Sequence, residues 1–94
     1  MPNPKYALKV AASVSRKLHS LDPPETRRLT EAILALTEDP FPPGKKWKRL
    51  RGVGDQFIRL RVGDYRVLYE VIGEEVHILP VVHRTDLEEW LRRD

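Results

Sequence analysis

Arg59, Arg61 and Arg66 fall within one short segment, FIRLRVGDYRVLYEVI, at positions 57–72. A guanidinium stays charged, and its planar fork binds phosphate through paired hydrogen bonds. Several on one surface would hold a phosphodiester and stabilise the extra negative charge of its transition state. His83, at the end of a later strand, can exchange protons near neutral pH. These groups suit cleavage of RNA without a metal, with the 2′-hydroxyl attacking the adjacent phosphate. The plain alternative is a solvated strand face whose arginine stems cover apolar neighbours. A lone histidine at a strand end is more often structural than catalytic.

The sequence offers little for other chemistries. It has no cysteine, so neither a disulfide framework nor a thiolate metal site can form. The three histidines are scattered and no acids cluster with them, so no metal-ligand spacing exists, and no Ser-His-Asp set can be assembled. Gly52-Val53-Gly54 is too short to read as a phosphate-cradling loop. No run is long and apolar enough to span a membrane, and the start lacks a signal-peptide pattern. The absence of cysteine suits a reducing cytoplasm. Ninety-four residues make one domain with a single modest core.

The formal charge is only +3, but it is unevenly spread. Lys45 to Arg66 holds eight basic and two acidic residues, a net of +6; Val67 to Asp94 holds three basic and seven acidic, a net of −4. The middle of the chain is therefore a positive patch suited to a polyanion. The run KKWKRLRG places Lys45, Lys46, Lys48, Arg49 and Arg51 there as candidate RNA-binding residues. Trp47, interleaved with them, is either a stacking platform for a base or a side chain packed at the core edge.

The elements that position these residues follow from alternation. Ile58, Leu60 and Val62 alternate with Phe57, Arg59 and Arg61; Tyr65, Val67, Tyr69 and Val71 alternate with Arg66, Leu68, Glu70 and Ile72. Period-two patterning around Gly63-Asp64 predicts a hairpin with a two-residue loop. The loop pairs Val62 with Tyr65, Arg61 with Arg66, Leu60 with Val67 and Arg59 with Leu68. Paired residues share a face, so Arg59, Arg61 and Arg66 lie together, opposite the apolar core face. Like charges directly opposed destabilise a sheet, and an anion between them is the simplest compensation.

Gly73-Glu74 predicts a second tight turn and Glu75–Val82 a third strand. Its register would set Glu70 against His77, Leu68 against Leu79, Arg66 against Val81 and Asp64 against His83. Both histidines would then join the arginine face, with His83 close to Arg66. The segment Thr85–Arg93, with Leu87, Trp90 and Leu91 on one helical side and Thr85 or Asp86 as cap, would cover the apolar residues of that face. Earlier in the chain, Lys5–Val10 reads as an edge strand or a helix start, and Ala12–Ser20 as a first helix. Asp22-Pro23-Pro24-Glu25 starts a second helix with Asp22 as cap. This helix runs to about Thr37 before the prolines at 40, 42 and 43. Val53–Gln56 reads as a turn.

LRG at Leu50–Gly52, IRLRVGDYRVLYEV at Ile58–Val71 and HRTDL at His83–Leu87 resemble the RelE/ParE toxins of prokaryotic toxin–antitoxin systems. The resemblance covers nearly the whole chain. It implies an α+β fold: a small antiparallel sheet of about four strands, an N-terminal helical hairpin on one face and a short C-terminal helix. It also implies a toxin neutralised by a cognate antitoxin and working without a cofactor. RelE-like members cut mRNA in the ribosome, whereas ParE-like members act on DNA gyrase. By the same resemblance, Arg59, Arg61, Arg66 and Arg84 bind and stabilise phosphate, with His83 or Glu88 as general base or acid. Glu88 stands where many nuclease members carry Tyr, and Phe57 where some carry a catalytic Lys. The reading is thus a RelE-like, metal-independent endoribonuclease; the alternatives are a ParE-like gyrase inhibitor and an inactive relative that only binds antitoxin. The expected partner segment is acidic or amphipathic, covering the Leu68–Leu79 face, the adjoining helices, or both.

Overall fold

Alternation builds the central hairpin where the sequence places it. In the computed structural model, which describes residues 5–42, 44, 46–50 and 57–92, strands β3 (Phe57–Val62) and β4 (Tyr65–Ile72) pair antiparallel. Val62 faces Tyr65, Arg61 faces Arg66, Leu60 faces Val67 and Arg59 faces Leu68. Gly63 takes φ +59° at the first loop position, a conformation that glycine reaches without steric cost. Gly73 does the same in the next loop, and Ile72 faces Glu75 across it.

Strand β5 (Glu75–His83) keeps the expected register only as far as Ile78. Glu70 faces His77 and Tyr69 faces Ile78, but Val67 then faces Val81, Arg66 faces Val82 and Tyr65 faces His83. Leu79 and Pro80 together oppose the single residue Leu68, a β-bulge. Proline has no N–H to give a ladder, so within a sheet it is found at a bulge or where a flanking strand has ended, and β1 runs beside β5 only as far as Ile78. The pairings of Leu68 with Leu79, Arg66 with Val81 and Asp64 with His83 are therefore corrected. The bulge also keeps the core pattern intact, since Val76, Ile78 and Val81 all end buried.

Strand β1 (Ala7–Val10) settles the ambiguous start of the chain, lying parallel to β5 with Leu8 beside Val76. Strand β2 (Trp47–Arg49) flanks β3 on the other side. Among the described residues the sheet thus has five strands, in the order β1-β5-β4-β3-β2, and is mixed rather than wholly antiparallel.

Helices α1 (Ala12–His19) and α2 (Pro23–Ala35) cover one face. Val14, Leu29, Ile33 and Leu36 pack there with Ile58, Leu60, Val67, Tyr69 and Val81. Burial of each such side chain stabilises by about 1.5–3 kcal/mol. Asp22 occupies the cap position of α2, but its side chain makes no cap hydrogen bond. Thr26 instead ties the two helices, its hydroxyl donating to the Leu18 carbonyl at 2.6 Å. Tyr69, fully buried, donates its hydroxyl to the Pro40 carbonyl at 2.6 Å and so fastens the proline-rich connection after α2. Burial, seconded by Asp39, pushes the Tyr69 phenol well above its ordinary value. A short 3₁₀ turn (Arg84–Asp86) leads into helix α3 (Leu87–Leu91). Asp86 takes the α3 cap position without a side-chain hydrogen bond; His83 is the residue that caps the 3₁₀ turn. The expected turn at Val53–Gln56, the Gly52-Val53-Gly54 stretch, Lys45 and Arg51 lie outside the described residues.

Candidate phosphate-binding face

The sheet face away from α1 and α2 carries the arginines. Arg61 and Arg66 oppose each other across the hairpin, Arg59 opposes Leu68, and Lys48 on β2 opposes Arg59. The Arg66 guanidinium turns back on its own loop, Nη1 donating to the Gly63 carbonyl at 3.0 Å and to the Tyr65 carbonyl at 2.9 Å. These carbonyls give the positive charge a partial counterweight that Arg61, its cross-strand neighbour, cannot.

Arg84 joins the group from beyond β5. Its backbone N–H donates to the Asp64 carbonyl at 2.8 Å, and its Nε lies 3.4 Å from Asp64 Oδ1. The Gly63-Asp64 loop therefore holds two arginines from different elements. Burial lowers the Arg66 pKa from its ordinary value, and the charges of Arg59, Arg61 and Arg84 lower it further, whereas Asp64 acts the other way. Among the described residues the four arginines thus share one electrostatic neighbourhood in which Asp64 is the opposing carboxylate. An anion placed among them would relieve that repulsion, as charge-assisted bonds to phosphate do.

Two other sequence candidates stand apart. His83 faces Tyr65, with ring centroids 5.4 Å apart and nearly perpendicular planes. Its Nδ1 accepts the Thr85 N–H at 3.3 Å and lies 2.9 Å from the Thr85 hydroxyl. The bulge moves His83 one position out of the arginine row, so the expectation that it lies beside Arg66 on the arginine face is corrected. Glu88 sits in the first turn of α3, exposed, 3.7 Å from Arg92. Among the described residues no three His, Asp or Glu side chains group to hold a metal ion.

The basic run divides between the two faces. Lys48 joins Arg59, but Arg49 pairs with Ile58 and lies with its guanidinium carbon 5.4 Å from the Phe41 ring centroid. Trp47 packs at the core edge and donates its indole N–H to the Pro42 carbonyl at 2.6 Å, so it is not a free platform for a base. At the far end of the arginine face, Trp90 of α3 meets Phe57 edge-on at 6.3 Å. Leu68 is completely buried although it lies outside the cluster under α1 and α2. The C-terminal helix thus covers one end of this face as expected and leaves the loop end open. Asp64 is the residue that sequence reasoning missed. Its only signal was its place in the loop between Arg61 and Arg66.

A family described as the ParE toxin of type II toxin–antitoxin systems, parDE, matches residues 5–88. A relative from Methanocaldococcus jannaschii bearing the provisional name toxin RelE1 is 32% identical over 72 residues, 76% of this chain and 79% of that protein. Among solved structures, the archaeal RelE–RelB complex from Pyrococcus horikoshii is 34% identical with a TM-score of 0.74, covering 85% of this chain and 96% of the other. The RelBE2 toxin–antitoxin complex from Mycobacterium tuberculosis is 29% identical with a TM-score of 0.72, covering 87% and 100%. Among the described residues no helix is long and apolar enough to cross a membrane.

Proposed function

The chain belongs to the RelE/ParE toxins of type II toxin–antitoxin systems, and from that membership we propose that it is a RelE-like toxin that cleaves mRNA at the ribosome. The observation that carries this reading is the convergence of Arg59, Arg61, Arg66 and Arg84 around one loop. In the proposed reaction the 2′-oxygen attacks the neighbouring phosphorus. The 2′-hydroxyl proton passes to solvent and the P–O5′ bond breaks, leaving a 2′,3′-cyclic phosphate and a 5′-oxygen that takes a proton from water to become a free 5′-hydroxyl. The arginines stabilise the extra charge on the non-bridging oxygens, where preorganised donors have their largest effect. Glu88 and His83 do not touch Arg66, so this reading places the main protein contribution in charge stabilisation and not in a paired acid and base. A cognate antitoxin of the kind complexed with the P. horikoshii and M. tuberculosis toxins would neutralise the protein.

A second reading, a ParE-like inhibitor of DNA gyrase, is favoured by the matching family's own description. That neither His83 nor Glu88 makes a hydrogen bond or ion pair with Arg59, Arg61 or Arg66 among the described residues favours it too. Two measurements decide. Inducing the chain without its antitoxin should stop protein synthesis before DNA replication. The purified chain should cut mRNA bound to programmed ribosomes. Replication stopping first, with gyrase inhibited and mRNA intact, would establish the ParE-like reading instead.

A further inference from the structure

A second basic cluster lies around the open edge of β3, on the side toward α2. A groove there is lined by Arg28 and Glu31 of α2, by Lys46, and by Arg61 and Gly63 of the hairpin. Arg28 lies directly over the loop: a Cβ built on Gly63 would stand 2.8 Å from its Nη1. Lys46 is drawn to the same edge because its carbonyl accepts the Arg61 N–H at 2.8 Å. Among the described residues, strand β2 begins at Trp47, opposite Leu60, and beyond the Lys46–Arg61 hydrogen bond no strand flanks the Gly63-Asp64 loop on that side. Arg61 opposes Arg66 on the arginine face and also borders the groove, so it stands between the two. Among the described residues, none of Arg28, Lys46 and Arg61 has an ion-pair partner, and Glu31 pairs with none of them. Three cations and one carboxylate line the groove, a net charge of +2 that favours an external anion.

We infer that Arg28, Lys46 and Arg61 form a second phosphate subsite, which takes a neighbouring phosphate of the same RNA strand as it passes from the arginine face around the open edge of β3. This deepens the nuclease reading and rests on it. Arg61 would link the two subsites, and Gly63 would be required there both for its backbone conformation and for the room Arg28 needs.

The test uses the full chain and a short single-stranded 2′-O-methyl oligoribonucleotide, which the proposed reaction cannot cut. Its affinity is measured against salt for the parent and for Arg28→Gln, Lys46→Gln, Arg66→Ala and Arg16→Gln. Arg16 is an exposed control on α1. Thermal melting checks each variant. Loss of one phosphate contact on a single strand lowers the slope of log affinity against log salt by about 0.7. Arg28→Gln and Lys46→Gln should each show that loss with a weaker affinity, and Arg16→Gln should show neither. If Arg28→Gln behaves like Arg16→Gln while Arg66→Ala still loses affinity, the subsite is wrong and the nuclease reading survives. If Arg66→Ala binds as the parent does and also cuts ribosome-bound mRNA as fast as the parent, the nuclease reading falls and the subsite with it. If Arg28→Gln leaves RNA binding intact but weakens antitoxin binding, the groove belongs to a protein partner and the inference is overturned.

Discussion

The two hairpins of this sheet begin alike and end differently. Both turn on Gly followed by an acid, both glycines sit at φ +59°, and both loops fix the first pairs as their length dictates. The β3–β4 hairpin keeps its register to the end and sets Arg61 against Arg66. The β4–β5 hairpin breaks at Pro80 and carries His83 away from that row. A turn governs register only until something inside a strand resets it. Here the reset separates the charged groups from the one nearby histidine. Arg66 and Arg84 are held by the hairpin loop, while the histidine is occupied by Thr85 and Tyr65.

The strand common to both hairpins is where the largest effect is expected. Tyr69 pairs with Ile58 on one side and Ile78 on the other, and it is fully buried. Tyr69→Ala should destabilise by about 3–5 kcal/mol, the range for removing a large buried aromatic, and both hairpins should lose amide protection together. Tyr69→Phe isolates the hydroxyl. It leaves the Pro40 carbonyl without its donor, at a cost of about 1–3 kcal/mol. The raised phenol pKa adds a pH signature. Above the ordinary value of 10.0 the unfolded tyrosine ionises first, so the folded state binds more protons and stability falls as pH rises. Denaturant titrations at alkaline pH should show that decline in the parent and less of it in Tyr69→Phe.

A smaller effect separates the two loops. Gly63→Ala and Gly73→Ala should each cost about 1–2 kcal/mol, because an L-residue is strained at positive φ. For a chain of this size that is a melting shift of roughly 4–8 °C per kcal/mol. A Cβ at Gly73 meets nothing within 4 Å, whereas at Gly63 it displaces the Arg28 guanidinium. Only Gly63→Ala should therefore also weaken RNA binding. Equal RNA affinity for the two variants would break this contrast.

Deleting Pro80 should change least. Removing the extra residue lets Leu79 oppose Leu68 and leaves Val67 against Val81 and Tyr65 against His83. Cross-strand nuclear Overhauser contacts between those pairs should persist, with a melting shift smaller than either glycine variant gives. Their loss would show that the bulge is needed for folding and is not a local accommodation.

What could be read from the sequence follows the same division. Residues 57–72 were legible because alternation, loop length and glycine all specified one register. The second helix was legible from its prolines and apolar spacing, although Thr26, not the Asp22 side chain, makes the tying hydrogen bond. The register beyond Ile78 was not read, because the loop rule was carried past Pro80. One signal was present, a proline inside a strand; that Val81 and not Val82 joins Val76 and Ile78 in the core does not show in the sequence, because both are valines. β1 was open because a short edge segment with one partner carries little periodicity. Arg84 reached the site through an ion pair with Asp64, and Arg28 through a packing contact with Gly63. Neither contact follows from spacing along the chain.

In the proposed nuclease the chemistry sits on the arginine row of the first hairpin, and His83 at the end of the second has a structural role. The direct test compares Arg66→Ala with His83→Ala in single-turnover cleavage of ribosome-bound mRNA, with thermal melting of both. Arg66→Ala should melt like the parent and cut ~100–1000-fold more slowly, the loss expected for an oxyanion-type donor. His83→Ala should lose about 1 kcal/mol of stability with its capping bond and cut nearly as fast as the parent. Loss of a general acid or base costs ~100-fold or more. A His83→Ala protein that folds normally and falls that far, or an Arg66→Ala protein that cuts as well as the parent, would contradict the account.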